Sequence, residues 1–380
     1  MNHLRVAFVA GTLGLGGAEK QLVYMASSLR QSGVQVRIYC LTTGEYYESV
    51  MKKNGLIPFW IGKIQNPLWR LPALAVELRD FHPHIIQSAH FYTNLYATLV
   101  APLYKAVGIG GLRSDTFNEV NGNGFWGMKL LKVPRTLISN SNTAKRNAVS
   151  LGAREDRIFV LPNVIDLEVF DRDISASSLV PLPIKKKILG INVVVVGTLF
   201  PGKRIDRFLQ ALQKARTSAP MLRGFIVGDG EERNHLECLA DDLGLLPDGV
   251  CFVGRQDNIP AILSQADIFV LSSDNEGMPN VILEAMAASL PVITTPAGDA
   301  GVAVVHGVTG YVVPFDEINN TLEDYLVNLS ASPELRQKLG EAGRKRVEQY
   351  YSYGLLGDRL LSIYAEMGSK LHDSRLQKAL

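Results

Sequence analysis

Short apolar runs alternate with stretches of helical period along almost the whole chain. Residues 5–10 and 35–41 read as buried strands flanking a helix over 19–32, and further strands are expected at 57–61, 85–88, 136–140 and 157–161. That rhythm predicts βαβ units built on a parallel sheet. The period breaks over 166–187, where Asp171-Arg172-Asp173, a group of serines, two prolines and three consecutive lysines give no clean pattern. It then resumes: strands at 191–197, 223–227, 250–253 and 266–273 alternate with helices at 205–215, 231–243 and 259–265. A largely helical tail carries the stripe Leu335, Leu339, Ala342 and Val347 until Tyr350-Tyr351-Ser352-Tyr353 interrupts it. The expected organisation is α/β with two doubly wound domains: 1–170, a linker over 171–187, a second domain over 188–350 and a helical tail over 351–380.

A length of 380 residues with 47% hydrophobic content suits two cores of this kind. The formal net charge of +2 is close to neutral, so no electrostatic footprint asks for nucleic acid. Cys40, Cys238 and Cys251 are odd in number and form no C-x-x-C, which points neither to a disulfide framework nor to a zinc site and fits a reducing compartment. The opening residues read as a first strand rather than a secretory leader. The longest uncharged run, 85–104, holds Gln87, His90, Asn94 and Pro102 and is too polar to span a membrane.

In open α/β sheets ligands sit beyond the carboxyl ends of the strands, so the strand-to-helix loops are where chemistry is expected. The first loop, Gly11-Thr12-Leu13-Gly14-Leu15-Gly16-Gly17-Ala18-Glu19, lets backbone approach a bulky or anionic group. A dinucleotide reading competes here, since Gly14-Leu15-Gly16 resembles the start of G-x-G-x-x-G, but Glu19 stands where a glycine or alanine belongs and the second strand ends in Cys40-Leu41-Thr42-Thr43-Gly44 without the acidic residue that would hold a ribose. Gly197-Thr198-Leu199-Phe200-Pro201-Gly202-Lys203-Arg204 puts two cations at a helix start, where they oppose the helix dipole and call for an anionic partner; a solvated basic turn is the plain alternative. Gly228-Asp229-Gly230-Glu231-Glu232 reads mainly as a turn and cap. The most informative stretch is Glu276-Gly277-Met278-Pro279-Asn280-Val281-Ile282-Leu283-Glu284-Ala285, with two carboxylates eight positions apart across a loop-to-helix junction. Pro279 suits a first helical position, and Asn280 and Glu284 share a face of the helix it opens.

This combination of loops resembles the retaining GT-B glycosyltransferases of family four, most strongly from Val194 to Val313. The matching elements are Gly16-Gly17-Ala18-Glu19, Leu161-Pro162-Asn163-Val164-Ile165-Asp166, Val196-Gly197 to Lys203, Val227-Gly228-Asp229-Gly230, Phe252-Val253-Gly254 and Ala266-Asp267 through Ala287. The resemblance implies two Rossmann-like domains facing a cleft and transfer of a sugar, with retention, from a nucleotide-diphosphate sugar to a saccharide or lipid-linked saccharide, with no cofactor and no metal. By position, Glu284 would bind ribose hydroxyls; Glu276 with Gly277, Met278, Pro279 and Asn280 would hold the sugar. Lys203, helped by Arg204, would neutralise the leaving diphosphate, and Gly16 and Gly17 would admit the phosphates. The chain departs from the family at Thr198, where an arginine is common, and at Gly111-Leu112-Arg113-Ser114-Asp115, where a histidine is common. His90 and Asp115 are then the candidates for acid-base work, and Arg113 either touches a phosphate or pairs with Asp115. These departures also motivate a rival reading, a non-catalytic partner that binds a nucleotide sugar or scaffolds a complex. The protein is expected to be cytoplasmic or loosely membrane-associated. Phe125-Trp126-Gly127-Met128-Lys129-Leu130-Leu131-Lys132-Val133-Pro134-Arg135 has the composition either of a segment lying on the anionic inner face of a membrane or of a core-facing helix with snorkelling lysines, and both readings stay open.

Overall fold

The computed structural model describes residues 3–63, 66–176 and 190–380, so residues 177–187 of the expected linker lie outside the described residues. The chain divides into two compact units, one of residues 1–164 and 353–380 and the other of residues 165–352.

The first unit is built on a parallel sheet of seven strands: β1 (Arg5–Ala10), β2 (Gln35–Cys40), β3 (Pro58–Trp60), β4 (Ile85–Ser88), β5 (Val107–Leu112), β6 (Thr136–Ser139) and β7 (Ile158–Val160). Their order across the sheet is β3-β2-β1-β4-β5-β6-β7. Along β1 the side chains alternate between two cores: Val6, Phe8 and Ala10 belong to one and Ala7 and Val9 to the other, so both faces are buried and the strand reads as an unbroken apolar run. Helix Gly17–Gln31 covers one face beside helix Leu356–Lys370, which returns from the end of the chain and buries Leu360, Tyr364 and Met367. The tail expected to stand alone over 351–380 is thus mostly part of this unit.

The second unit repeats the plan with β8 (Ile191–Val196), β9 (Leu222–Val227), β10 (Val250–Gly254), β11 (Ile268–Leu271), β12 (Val292–Thr294) and β13 (Gly310–Val312), in the order β10-β9-β8-β11-β12-β13. Val193 and Val195 face one core and Val194 and Val196 the other. Helix Leu167–Ala176, inside the stretch read as losing its period, packs Phe170 into this unit's core and ties Asp171 to Arg344 at 2.7 Å.

β5 escaped the hydrophobic pattern because three of its six residues are glycine. The reason is packing: a Cβ on Gly110 would lie 2.6 Å from Leu137 Cδ2, and one on Gly111 would lie 2.9 Å from the Ser88 carbonyl oxygen.

Candidate functional site

Each sheet reverses its winding once, between β1 and β4 in the first unit and between β8 and β11 in the second, and such switch points are where α/β folds hold ligands. In both units the two loops leaving those strands are bonded to each other.

In the second unit the loop after β8 carries Lys203 and the loop after β11 carries Glu276. Glu276 Oε1 accepts from Lys203 Nζ at 2.5 Å and from Ser273 Oγ at 2.8 Å. Both charged side chains are mostly covered, 17% exposed for Lys203 and 13% for Glu276. The hydroxyl of buried Ser272 donates to the carbonyl oxygens of Lys203 at 3.1 Å and Arg204 at 2.8 Å, and the Asp274 amide donates to the Gly202 carbonyl at 2.9 Å, so the loops are stitched by backbone as well as by charge. A third loop, after β12, supports them from below. The Asp299 amide donates to the Gly277 carbonyl at 2.8 Å, and Gly298 has φ +60° with a would-be Cβ only 2.2 Å from that carbonyl oxygen. Only glycine meets both demands. Pro279 is the residue before the helix rather than its first, the helix runs Asn280–Ala287, and Glu284 is buried on it. A fixed cation, a carboxylate and the open amide end of a helix therefore meet at one switch point, a set suited to a ligand that is anionic at one end and hydroxyl-rich at the other.

Arg204 differs from the expectation that it would assist Lys203. It sits at φ +49° just before helix Ile205–Ser218, and its guanidinium binds Asp206 at 2.8 Å and Asp274 at 3.3 Å. Its hydrogen bond to Asp206, ahead of the other contributions, raises the guanidinium's affinity for its proton, and the charge is already matched by two carboxylates. With Thr198 uncharged, Lys203 is the cation this loop offers to the switch point.

In the first unit the loop after β1 meets the loop after β4 through His90. Its Nδ1 accepts from the Gly11 amide at 3.1 Å, which puts the ring proton on Nε2, 3.1 Å from Glu19 Oε1. His90 and Glu19 are both buried, and the imidazole stacks on Tyr92 with ring centroids 5.4 Å apart. Gly16 caps the helix that Gly17 begins, so the glycine loop leads straight into a helix amino end. Glu45 was not anticipated: its carboxylate accepts from Thr12 Oγ1 at 2.9 Å, from Thr42 Oγ1 at 2.5 Å and from the Leu13 amide, bracing the glycine loop against the loop after β2. Burial alone would raise this carboxyl, but the bonds from Thr42, Leu13 and Thr12 hold it below its ordinary value.

Asp115 is committed elsewhere. It caps helix Thr116–Gly122, one oxygen accepting from the Asn118 amide at 3.0 Å and the other from Asn147 Nδ2 at 2.7 Å. Arg113 lies beside Glu119 rather than pairing with Asp115; its amide donates to Glu119 Oε1 at 3.1 Å. Burial pushes the Arg113 guanidinium down to about 10 and the Glu119 carboxyl up to about 8. Glu19 had a sequence signal in Gly16-Gly17-Ala18-Glu19; Glu45 had none, since its three partners come from two loops.

Comparison with known proteins agrees with this layout. The family model described as Glycosyltransferase Family 4 matches residues 15–169, and that described as Glycosyl transferases group 1 matches residues 185–346. N-acetyl-alpha-D-glucosaminyl L-malate synthase of Bacillus anthracis is 31% identical over a stretch that covers 43% of this chain and 42% of that protein's length, so the matched part spans less than half of that relative. The lipopolysaccharide core biosynthesis glycosyltransferase LpsD of Rhizobium meliloti is 25% identical across 92% of this chain and 95% of its own. Among solved structures, HepE of Anabaena in complex with UDP and glucose superposes with a TM-score of 0.77 at 19% identity, covering 95% of this chain and 99% of that one. The two sheets with their 3-2-1-4-5-6 type orders are those of the GT-B fold. Matched by two family models that between them take in most of its length, the chain belongs to the group 1 glycosyltransferases.

Proposed function

We propose that this protein is a retaining glycosyltransferase that moves a sugar from a nucleotide-diphosphate sugar to a saccharide or lipid-linked saccharide, without a divalent metal. The observation that carries the reading is the Lys203–Glu276 pair at the switch point of the second sheet, beside the amide end of helix Asn280–Ala287. Departure of the donor's diphosphate builds negative charge on phosphate oxygens and positive character at the anomeric carbon, and a fixed cation with fixed amide dipoles stabilises that separation directly. Lys203 takes the charge of the leaving group, Glu276 and the backbone of residues 277–280 hold the sugar, and Glu284 accepts from ribose hydroxyls. The acceptor oxygen bonds to the anomeric carbon as the bond to the diphosphate breaks, and the hydroxyl proton passes to the departing diphosphate oxygen. In the first unit, His90 and Glu19 order the glycine loop, and Asp115 is set aside as a helix cap. The names of LpsD and HepE, one a lipopolysaccharide core enzyme and one solved with UDP and glucose, support a glycan acceptor and make UDP-sugars the first donors to try.

A non-catalytic binding partner is the competing reading, favoured by Thr198 and by the neutralised Arg204. Thermal shift and donor hydrolysis against UDP-, GDP- and ADP-sugars, with and without a chelator, separate the two. The proposal expects stabilisation by one nucleotide series and slow chelator-insensitive hydrolysis of its sugar donor. Binding without turnover for any donor and saccharide acceptor would support the rival, and a strict need for added manganese would contradict the metal-free reaction.

A further inference from the structure

The near-neutral total charge hides a local imbalance. From Val120 to Arg154 the sequence has no aspartate or glutamate, yet it holds Lys129, Lys132, Arg135, Lys145, Arg146 and Arg154. Helix Gly124–Lys132 lies within it. Gly127, Leu130 and Leu131 are buried against the first unit, while Phe125, Trp126, Lys129, Lys132 and Val133 are exposed. At 100° per residue these five fall on an arc of roughly 120°, so apolar and cationic groups interleave on a single outward face. Phe125 is 79% and Trp126 54% exposed, unusual for side chains this large, and Lys129 Nζ lies over both rings at 4.4 and 4.6 Å from their centroids. Among the described residues, none of Lys129, Lys132 and Arg135 forms an ion pair. Trp60 and Trp69, the other two tryptophans of the chain, also belong to the first unit and are 43% and 64% exposed.

We infer that the outward face of helix Gly124–Lys132 docks the first unit on an anionic lipid bilayer. Phe125, Trp126 and Val133 suit the boundary between headgroups and acyl chains, where an aromatic ring keeps both apolar contact and hydration, and Lys129, Lys132 and Arg135 suit the phosphates beside them. Charge selects the occupant: three cations without carboxylate partners match an anionic surface, and no acidic residue in the segment opposes it. No helix among the described residues is long and apolar enough to cross a membrane, so the contact described is one at the surface. It uses no residue of the donor site.

The test is co-sedimentation of the full chain with phosphatidylcholine vesicles and with 3:1 phosphatidylcholine–phosphatidylglycerol vesicles. Binding to the anionic vesicles is expected, with loss at high salt. Lys129→Gln with Lys132→Gln should weaken partition about 25-fold, at about fivefold per cation. Phe125→Ser with Trp126→Ser should abolish binding while leaving the thermal transition and donor binding in vesicle-free buffer unchanged. With Trp60→Phe and Trp69→Phe in place, emission from Trp126 should shift to the blue on adding anionic vesicles. Equal binding to both vesicle types, vesicle binding that survives the Phe125/Trp126 change, or self-association through this face in place of vesicle binding would each overturn the inference. Donor binding on the same preparations keeps that failure distinct from a failure of the proposed activity.

Discussion

Replacing Glu276 by glutamine should make a nucleoside diphosphate bind more tightly while transfer is lost. The structure sets the sign. Lys203 Nζ rests 2.5 Å from Glu276 Oε1, and Ser273 Oγ fixes that oxygen in place, so an arriving diphosphate competes with a carboxylate for one ammonium group. At this separation the gross attraction is about 6 to 7 kcal/mol for an effective dielectric near 20. Most of it is cancelled, because both ions are taken largely out of water and both keep some solvent contact. A net of about 1 to 2 kcal/mol, between an exposed and a fully buried pair, is reasonable. Removing the carboxylate charge while keeping its shape therefore releases about 1 to 2 kcal/mol of competition, or about 5- to 30-fold in Kd for the nucleoside diphosphate. Lys203→Ala should act in the opposite direction on the same measurement and should lower turnover by about 10²- to 10³-fold. Titration calorimetry with the nucleoside diphosphate alone, on both variants and on their double, gives the signs and the coupling. If Glu276→Gln weakens diphosphate binding as Lys203→Ala does, the two side chains act together on the phosphates and the competition argument is refuted.

Three further outcomes follow from the same geometry. Glu284→Ala should cost about 1.5 to 3 kcal/mol in nucleotide affinity through loss of a charged acceptor, and an unchanged calorimetric Kd would remove Glu284 from the ribose. Asp115→Ala should lower stability by about 1 kcal/mol, as loss of a helix cap does, with transfer rates close to wild type, whereas His90→Ala should depress transfer with little effect on nucleotide affinity; steady-state rates set beside urea midpoints would expose the reverse pattern. His84, buried with Nδ1 accepting from the Arg5 amide, has its pKa lowered to about 4, chiefly by burial, so the unfolded chain binds the extra proton between about pH 6.5 and 4 and stability must fall as the pH falls through that window. The slope approaches 1.4 kcal/mol per pH unit for one proton, and His84→Asn should flatten it; a variant whose denaturation midpoints keep the wild-type pH dependence would clear His84 of the effect.

What the sequence disclosed and what it hid have separate physical causes. Strands buried on both faces, such as Val193 to Val196, announce themselves because every position is apolar, and the Glu276 loop is legible because a turn, a helix start and two carboxylates are contiguous. β5 is hidden because close packing removed the side chains that a hydrophobic pattern needs. Asp115 and Arg204 show a subtler limit. A charged residue in a strand-to-helix loop is equally suited to a ligand and to the helix it precedes, and local sequence does not say which has claimed it. Asp115 is claimed by the Asn118 amide three residues on and by Asn147 thirty-two residues on; Arg204 by Asp206 and by Asp274. In each case one partner is near in sequence and one far, and the far one completes the neutralisation or the capping. Lys203 differs in having no near carboxylate: among the described residues its one ion-pair partner is Glu276, in the same loop after β11 that supplies Asp274 to Arg204. The difference between a charge that is spoken for and one that a ligand could engage thus rests here on how many carboxylates already match it, Asp206 and Asp274 for Arg204 against Glu276 alone for Lys203, and the far partners are brought in by strand order rather than by any short motif.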